Sequence, residues 1–67
     1  MKYIYTSKAA RFEDNPSEEI SEKEALRMLG NNYQDPKFVL NNLVRLFTNE
    51  GGLTRISLTF GDLEIQN

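Results

Sequence analysis

Cysteine is absent from this chain of 67 residues, so no disulfide can hold its fold together. A domain of this length buries a modest fraction of its surface and is usually only marginally stable. Histidine is absent as well, which leaves no Cys- or His-based zinc site to add stability. We therefore expect a single domain over residues 1–67, with nearly all of the large apolar residues in one hydrophobic core.

A first helix is predicted by its capping signals. Ser21 followed by Glu24 forms a capping box, in which each side chain can satisfy a backbone N–H that the helix leaves unpaired. Gly30 is a natural C-terminal stop. The helix between these signals is short and amphipathic, so it needs packing to persist. Its apolar face consists of Ala25, Leu26 and Leu29, with Met28 at the edge.

The second predicted helix is longer and supplies most of the core. It begins at Asp35-Pro36, with aspartate as the N-cap and proline at the first helical position. It continues to about Asn49 and ends at Gly51-Gly52. At 100° per residue, one broad face of this helix is apolar. That face consists of Val39, Leu40, Leu43, Val44, Leu46 and Phe47.

A first strand is predicted over Lys2–Ser7, where most residues are types that favour strands. Both of its faces carry apolar residues, which is typical of a central strand covered on both sides. Residues 9–19 are then predicted to be a connector, because Asn15-Pro16 is a turn signal.

The last part of the chain is predicted to be a β-hairpin. Apolar and polar residues alternate in two runs, with apolar side chains at Ile56, Leu58, Phe60, Leu63 and Ile65. Gly61-Asp62 lies between the runs and suits a two-residue type II′ turn. Such a turn pairs Phe60 with Leu63 and Leu58 with Ile65, which keeps all the apolar side chains on one face.

These elements predict an α+β fold with the order β-α-α-β-β. We expect a small three-stranded antiparallel sheet, with two helices packed on one of its faces. This order of elements resembles the winged helix-turn-helix family, although that family commonly has an additional helix before the first strand. The resemblance implies a small DNA-binding regulatory protein, with the second helix in the major groove and Gly61-Asp62 at the tip of the wing.

The charge of the chain favours a different partner. The formal net charge is −2, which is the wrong sign for an obvious nucleic-acid-binding protein. Most of the negative charge is clustered at Glu13, Asp14, Glu18, Glu19, Glu22 and Glu24, with Lys23 as the only opposing residue there. Residues 13–19 are predicted to be an exposed, mobile loop that meets a basic partner, with Glu13, Asp14, Glu18 and Glu19 as its contact residues.

No catalytic, cofactor-binding or metal-binding residues are predicted. The sequence has no Ser/His, Cys/His or Ser/Lys arrangement with a recognisable spacing, and its glycines form no phosphate-binding loop. Its carboxylates do not follow the pattern of a calcium loop. No apolar run approaches the roughly 20 residues of a membrane span, and none follows Met1 as in a signal peptide. A cysteine-free chain of this kind is expected in the cytoplasm.

The most informative surface is the side of the second helix opposite its apolar face. We call this set of residues the outer stripe: Phe38, Asn41, Asn42, Arg45 and Asn49. Acidic residues are absent from it, and aromatic and arginine side chains are typical anchors of protein interfaces. An alternative interpretation is that Phe38 packs on Tyr33 or on the first helix.

The sequence therefore predicts a small, non-enzymatic protein-interaction module. It could be an accessory or inhibitor protein of the kind that phages and mobile elements encode as very short chains. In this hypothesis a protein partner contacts the outer stripe and the acidic loop. The alternative hypothesis is the small DNA-binding regulator that the winged helix-turn-helix resemblance implies.

Overall fold

The fold of the protein is seen in a computed structural model, which describes residues 1–8, 17–51 and 53–66, except for the side chain of Glu50. Its elements are β1 (Lys2–Ser7), β2 (Ser17–Ile20), α1 (Glu22–Gly30), α2 (Pro36–Glu50), β3 (Leu53–Ser57) and β4 (Gly61–Gln66). The strands form one antiparallel sheet in the order β2-β1-β4-β3. The α+β class is therefore confirmed. The three-stranded sheet and the order β-α-α-β-β are wrong, because β2 adds a fourth strand.

Strand β2 occupies the end of the segment that was predicted to be a connector. Ser17 pairs with Thr6 of β1, and Ile20 pairs with Tyr3. The local sequence, Ser-Glu-Glu-Ile, has little intrinsic preference for a strand. Its position is explained by tertiary contacts, because Ile20 packs against the hydrophobic core. The other part of the predicted connector, including Asn15-Pro16, lies outside the described residues.

Both helices begin with the caps that the sequence predicts, and α2 also ends at the predicted Gly51. Helix α1 ends at Gly30 as predicted, but its C-cap is Asn31. The Ser21 hydroxyl accepts a hydrogen bond from the Glu24 N–H at 3.2 Å. The Asp35 carboxylate accepts one from the Phe38 N–H at 3.2 Å, which fixes the first turn of α2. Gly51 ends α2 in the left-handed conformation, with φ 85°, where a residue with a Cβ would be strained.

The core lies between the helices and one face of the sheet. Leu63 and Ile65 point into it from β4, whereas Glu64 points to the other face of the sheet. We call that other face, where Glu64 pairs with Ile4 and Arg55, the open face. Strand β1 is central, as predicted. Both helices contribute to the core on one face of it, so the described residues do not provide the predicted helix cover on its second face. The buried core residues are Ala25, Leu29, Leu40, Leu43, Leu58, Leu63 and Ile65.

The β3–β4 hairpin exists, but its register differs from the prediction. Leu63 pairs with Ile56 and not with Phe60. The turn is formed by the two residues between Leu58 and Gly61, where the Leu58 N–H donates to the Gly61 carbonyl at 2.7 Å. The observed register differs from the predicted register by an even number of residues, so Leu63 stays on the core face. Phe60 is instead in the turn, with 71% of its surface exposed.

The packing around Gly61 explains why the hairpin turn is not at Gly61-Asp62, where the sequence predicted it. A Cβ on Gly61 would lie 2.6 Å from the ring carbon Cζ of Tyr5, and closer still to the carbonyl oxygen of Thr6. Gly61 is therefore required by close packing inside the sheet. The wing tip that the winged helix-turn-helix resemblance implied at Gly61-Asp62 is also wrong, because both residues belong to β4.

The turn of this hairpin is attached to the end of α1 by one side chain. The Asn32 carboxamide oxygen accepts hydrogen bonds from the Thr59 N–H at 3.0 Å and from the Thr59 hydroxyl at 2.7 Å. The Asn32 NH₂ group donates to the Met28 carbonyl at 3.0 Å. Asn32 thus joins two elements that are distant in sequence.

We expect Asn32→Ala to lower the free energy of unfolding by about 0.5–1.5 kcal/mol, because it removes the side-chain hydrogen bonds that join the hairpin turn to the end of α1. Urea unfolding followed by circular dichroism measures this change. Asn31→Ala is the matched control, because Asn31 is the adjacent, exposed asparagine. Equal losses in the two variants would contradict the role assigned to Asn32.

Candidate functional site

The outer stripe lies on the side of α2 that faces away from the core. Leu40 and Leu43 are buried on one side of the helix. On the other side, four of the outer-stripe residues are exposed and Asn42 is half-buried. The structure therefore brings all five together on one continuous helix surface.

Phe38 is the most unusual member of the outer stripe. Its backbone is fixed by the Asp35 cap, yet 62% of its surface is exposed. The alternative interpretation, in which Phe38 packs on Tyr33 or α1, would leave most of the Phe38 surface exposed. Tyr33 is itself among the exposed large side chains. An exposed phenylalanine is disfavoured in water, so contact with another molecule would stabilise it.

An open depression of about 280 Å³ lies along the outer stripe, lined by Asn42, Arg45, Leu46 and Asn49. Leu46 was predicted to be in the core, and this prediction is wrong because 48% of its surface is exposed. At 100° per residue, Leu46 lies about 60° from Leu43 and only about 40° from Asn42. Its place at the boundary of the apolar face was visible in the sequence and is the signal that could have identified it.

The depression has polar groups that can bind a partner. The side chains of Asn42, Arg45 and Asn49 make no hydrogen bond or ion pair within the part of the chain that the structure describes. Lys37 and Arg45 are the charged side chains described on α2. The surface therefore combines the positive charge of Arg45 with amide donors and acceptors beside two exposed apolar side chains, Phe38 and Leu46.

Of the four predicted acidic contact residues, the two that the structure describes do not join this surface. Glu13 and Asp14 lie outside the described residues. Glu18 and Glu19 are exposed, but they belong to strand β2, so the mobile-loop prediction is wrong for Ser17–Glu19. Strand β2 is one edge of the sheet, whereas α2 packs on β3 and β4 at the other edge. At about 4.8 Å per strand, the two edges are roughly 14 Å apart.

A second cavity, near the hairpin turn, has a volume of only about 50 Å³. Its lining residues are Tyr5, Met28, Asn31, Asn32, Leu58 and Phe60. Ligand pockets usually measure about 300–1,000 Å³, so this cavity is too small to enclose a substrate. It separates the hairpin turn from the end of α1 and is part of the packing around Asn32.

Two of the described side chains have shifted pKa values. Burial raises the pKa of Tyr3 above its ordinary value, and the charge of Glu22 raises it further. The pKa of Arg27 is raised by its hydrogen bond to Glu24 and by the charge of that carboxylate. Both shifts hold each residue in its ordinary protonation state at neutral pH.

The described residues also lack a cluster suited to a metal ion, since no three of their Asp or Glu side chains come together. Neither helix in this part of the chain has the length and apolar character that crossing a membrane requires.

Comparison with known proteins found no matching family model, no matching curated protein and no matching solved structure. The winged helix-turn-helix resemblance therefore rests on the order of elements, and that order differs from the prediction by strand β2. What this protein binds has to follow from its own surface.

Proposed function

We propose that this chain is a small, non-enzymatic protein-interaction module that binds a partner protein through the outer stripe and Leu46. The observation that carries the proposal is the exposure of Phe38, at 62%, on the face of α2 that also holds the open depression. Phe38 and Leu46 are about two helical turns apart, or roughly 12 Å along the axis. They provide two apolar anchors at the two ends of one contact surface.

The polar residues between these anchors suit a protein interface. A solvated helix face usually carries several Glu and Lys residues, which favour both helix and water. This face instead carries three asparagines and a single arginine, Arg45. Amide groups are easier to remove from water than charged groups, and arginine is a frequent anchor of binding energy. The same composition adds little to the stability of α2 itself, because asparagine is a mediocre helix former.

The size of the chain is consistent with an accessory or inhibitor protein that acts by occupying a surface of a larger partner. Its cysteine-free sequence fits a cytoplasmic setting. We limit the contact surface to α2, because Glu18 and Glu19 lie at the opposite edge of the sheet. Neutralising these two glutamates should therefore leave binding of the same partner unchanged.

We expect Phe38→Ala and Arg45→Ala each to weaken partner binding by about 1 kcal/mol or more, which is about fivefold in Kd. The partner is first identified by affinity purification from the native host and mass spectrometry. Titration calorimetry with the purified partner then measures each variant. Phe60→Ala is the matched control for Phe38, because Phe60 is a similarly exposed phenylalanine that lies in the hairpin turn and not on α2.

Three results would contradict the proposal. Phe38→Ala and Phe60→Ala could have the same effect on Kd, which would remove the outer stripe from the interface. A second contradicting result would be loss of the fold in Phe38→Ala or Arg45→Ala. Circular dichroism should show both folds unchanged, because Phe38 and Arg45 are exposed. Finally, duplex DNA could bind with an affinity that falls steeply as salt rises, which would support the DNA-binding hypothesis instead.

A further inference from the structure

The two edges of the sheet are protected to different degrees. Strand β2 is short and carries Glu18 and Glu19, which are charges of the kind that discourage pairing with another strand. Strand β3 has five residues, Leu-Thr-Arg-Ile-Ser, with no proline and one charge, at Arg55. Leu53, at its start, is 53% exposed. The edge at β3 is therefore open to the addition of a strand.

Two hydrogen bonds determine which backbone groups point out of the sheet. The Leu58 N–H donates to the Gly61 carbonyl at 2.7 Å, and the Lys8 N–H donates to the Phe60 carbonyl at 2.8 Å. Opposite residues in an antiparallel ladder alternate between hydrogen-bonded and non-hydrogen-bonded pairs. Combined with the strand registers, this alternation shows which edge residues have backbone N–H and C=O groups that point out of the sheet. They are Leu53, Arg55 and Ser57 in β3, and Ser17 and Glu19 in β2.

Within the described residues, these outward groups have no hydrogen-bond partner. The strands alternate in direction across the sheet, so a second copy placed beside the first in the same orientation would put its β2 antiparallel to β3. With Arg55 opposite Glu19, Ser57 lies opposite Ser17. All four residues then present their outward groups to each other, which permits four backbone hydrogen bonds.

Charge distinguishes this pairing from the two symmetric ones. Pairing β3 with β3, in the register that uses all of its outward residues, puts Arg55 opposite itself. Pairing β2 with β2 brings Glu18 or Glu19 against the same residue of the other copy. The mixed pairing puts Arg55 opposite Glu19 on the open face, where Arg55 is already opposite Glu64. Arg55 would then lie between two carboxylates.

We propose that copies of this chain associate head to tail, with β3 of one copy adding antiparallel to β2 of the next in the Arg55–Glu19 register. The sheet continues across the contact and the helices stay on the same side. Because the contact is heterologous, it leaves a free edge at each end and can propagate. The contact area of two short strands is small, so the association is weak and depends on concentration. It uses none of the outer-stripe residues and is independent of the proposed partner site.

Sedimentation velocity over a range of protein concentrations, up to about millimolar, tests this association. The weight-average mass should rise with concentration and should rise less at high salt. Arg55→Glu and Glu19→Arg should each weaken association about fivefold, because each places like charges opposite one another. The double variant should restore it. Glu19→Arg is especially informative, because it reduces the net negative charge of the chain, which by itself would favour non-specific association. A loss of association in this variant therefore cannot be due to repulsion between the net charges of the copies.

Two further variants complete the experiment. Arg55→Pro removes an outward N–H that β4 does not use, and it should abolish association while the fold survives. Lys37→Glu makes the same change of formal charge on α2, at an exposed residue outside the outer stripe, and should leave association unchanged. A wild-type chain that stays monomeric would overturn the proposal, and so would a double variant that fails to recover. Association that Arg55→Pro abolishes but that neither Arg55→Glu nor Glu19→Arg weakens would also overturn it, in favour of β3 pairing with itself.

Discussion

Leu43→Ala is expected to lower the free energy of unfolding by about 2–5 kcal/mol. Leu43 is only 6% exposed and belongs to the core between α2 and β4. Its truncation removes buried apolar surface and leaves a cavity that the surrounding side chains fill only in part. Small domains have few kcal/mol of net stability, so this variant could be largely unfolded at 37 °C. Urea and thermal unfolding, followed by circular dichroism, measure the loss.

Leu46→Ala is the matched control, because it makes the same change on the same helix. With 48% of its surface exposed, Leu46 should contribute much less, and its truncation should cost about 0.5 kcal/mol. Similar losses at the two positions would show that Leu46 is in the core after all. They would also remove Leu46 from the proposed partner surface.

Gly61→Ala should also destabilise the protein strongly, by about 1–3 kcal/mol or more. The added methyl group would lie 2.6 Å from the Tyr5 ring, which can move, but it would also collide with the carbonyl oxygen of Thr6. That oxygen belongs to the backbone of β1, which pairs with β4 over its whole length. Relief of the collision therefore requires the two central strands to move apart.

Gly30→Ala should have the opposite effect and serves as the control. A Cβ on Gly30 would meet only the Pro36 ring, at an ordinary contact distance of 3.7 Å. Gly30 is the last residue of α1 and does not have a positive φ. Alanine there should raise the free energy of unfolding by about 0.4–1 kcal/mol, because it restricts the unfolded chain. Destabilisation by both variants would contradict this distinction between the two glycines.

The elements with local signals could be predicted from the sequence. The caps at Ser21 and Asp35 satisfy backbone groups of their own helices, and Gly51 ends α2 through its own conformation. The outer stripe could be predicted for the same reason, since the helical period alone decides which residues share a face. These features depend on residues that are close together in the chain.

Features that depend on distant residues could not be predicted in the same way. Strand β2 has no local preference for its conformation and is held by pairing with β1. The hairpin register depends on the close approach of Gly61 to Thr6, which the sequence does not show. The helical period places Leu46 at the boundary of the apolar face, but how much of its surface is exposed depends on how far the neighbouring elements extend around α2. In the candidate site, the same limit applied to Glu18 and Glu19, whose strand was mistaken for a loop.

The two central strands, β1 and β4, come from opposite ends of the described sequence, with Lys2 opposite Gln66. The outer strands each join a neighbour that is close in the chain, so two hairpins can form by short loop closures. The β1–β4 ladder has to close a loop that contains both helices, which raises the contact order of the fold. Helix α2 can pack on β3 and β4 before that closure, but the apolar face of the β1–β2 hairpin joins the core only when it occurs. The rate of folding should therefore be governed by the meeting of β1 and β4 rather than by helix formation, and the whole domain should fold as one cooperative unit.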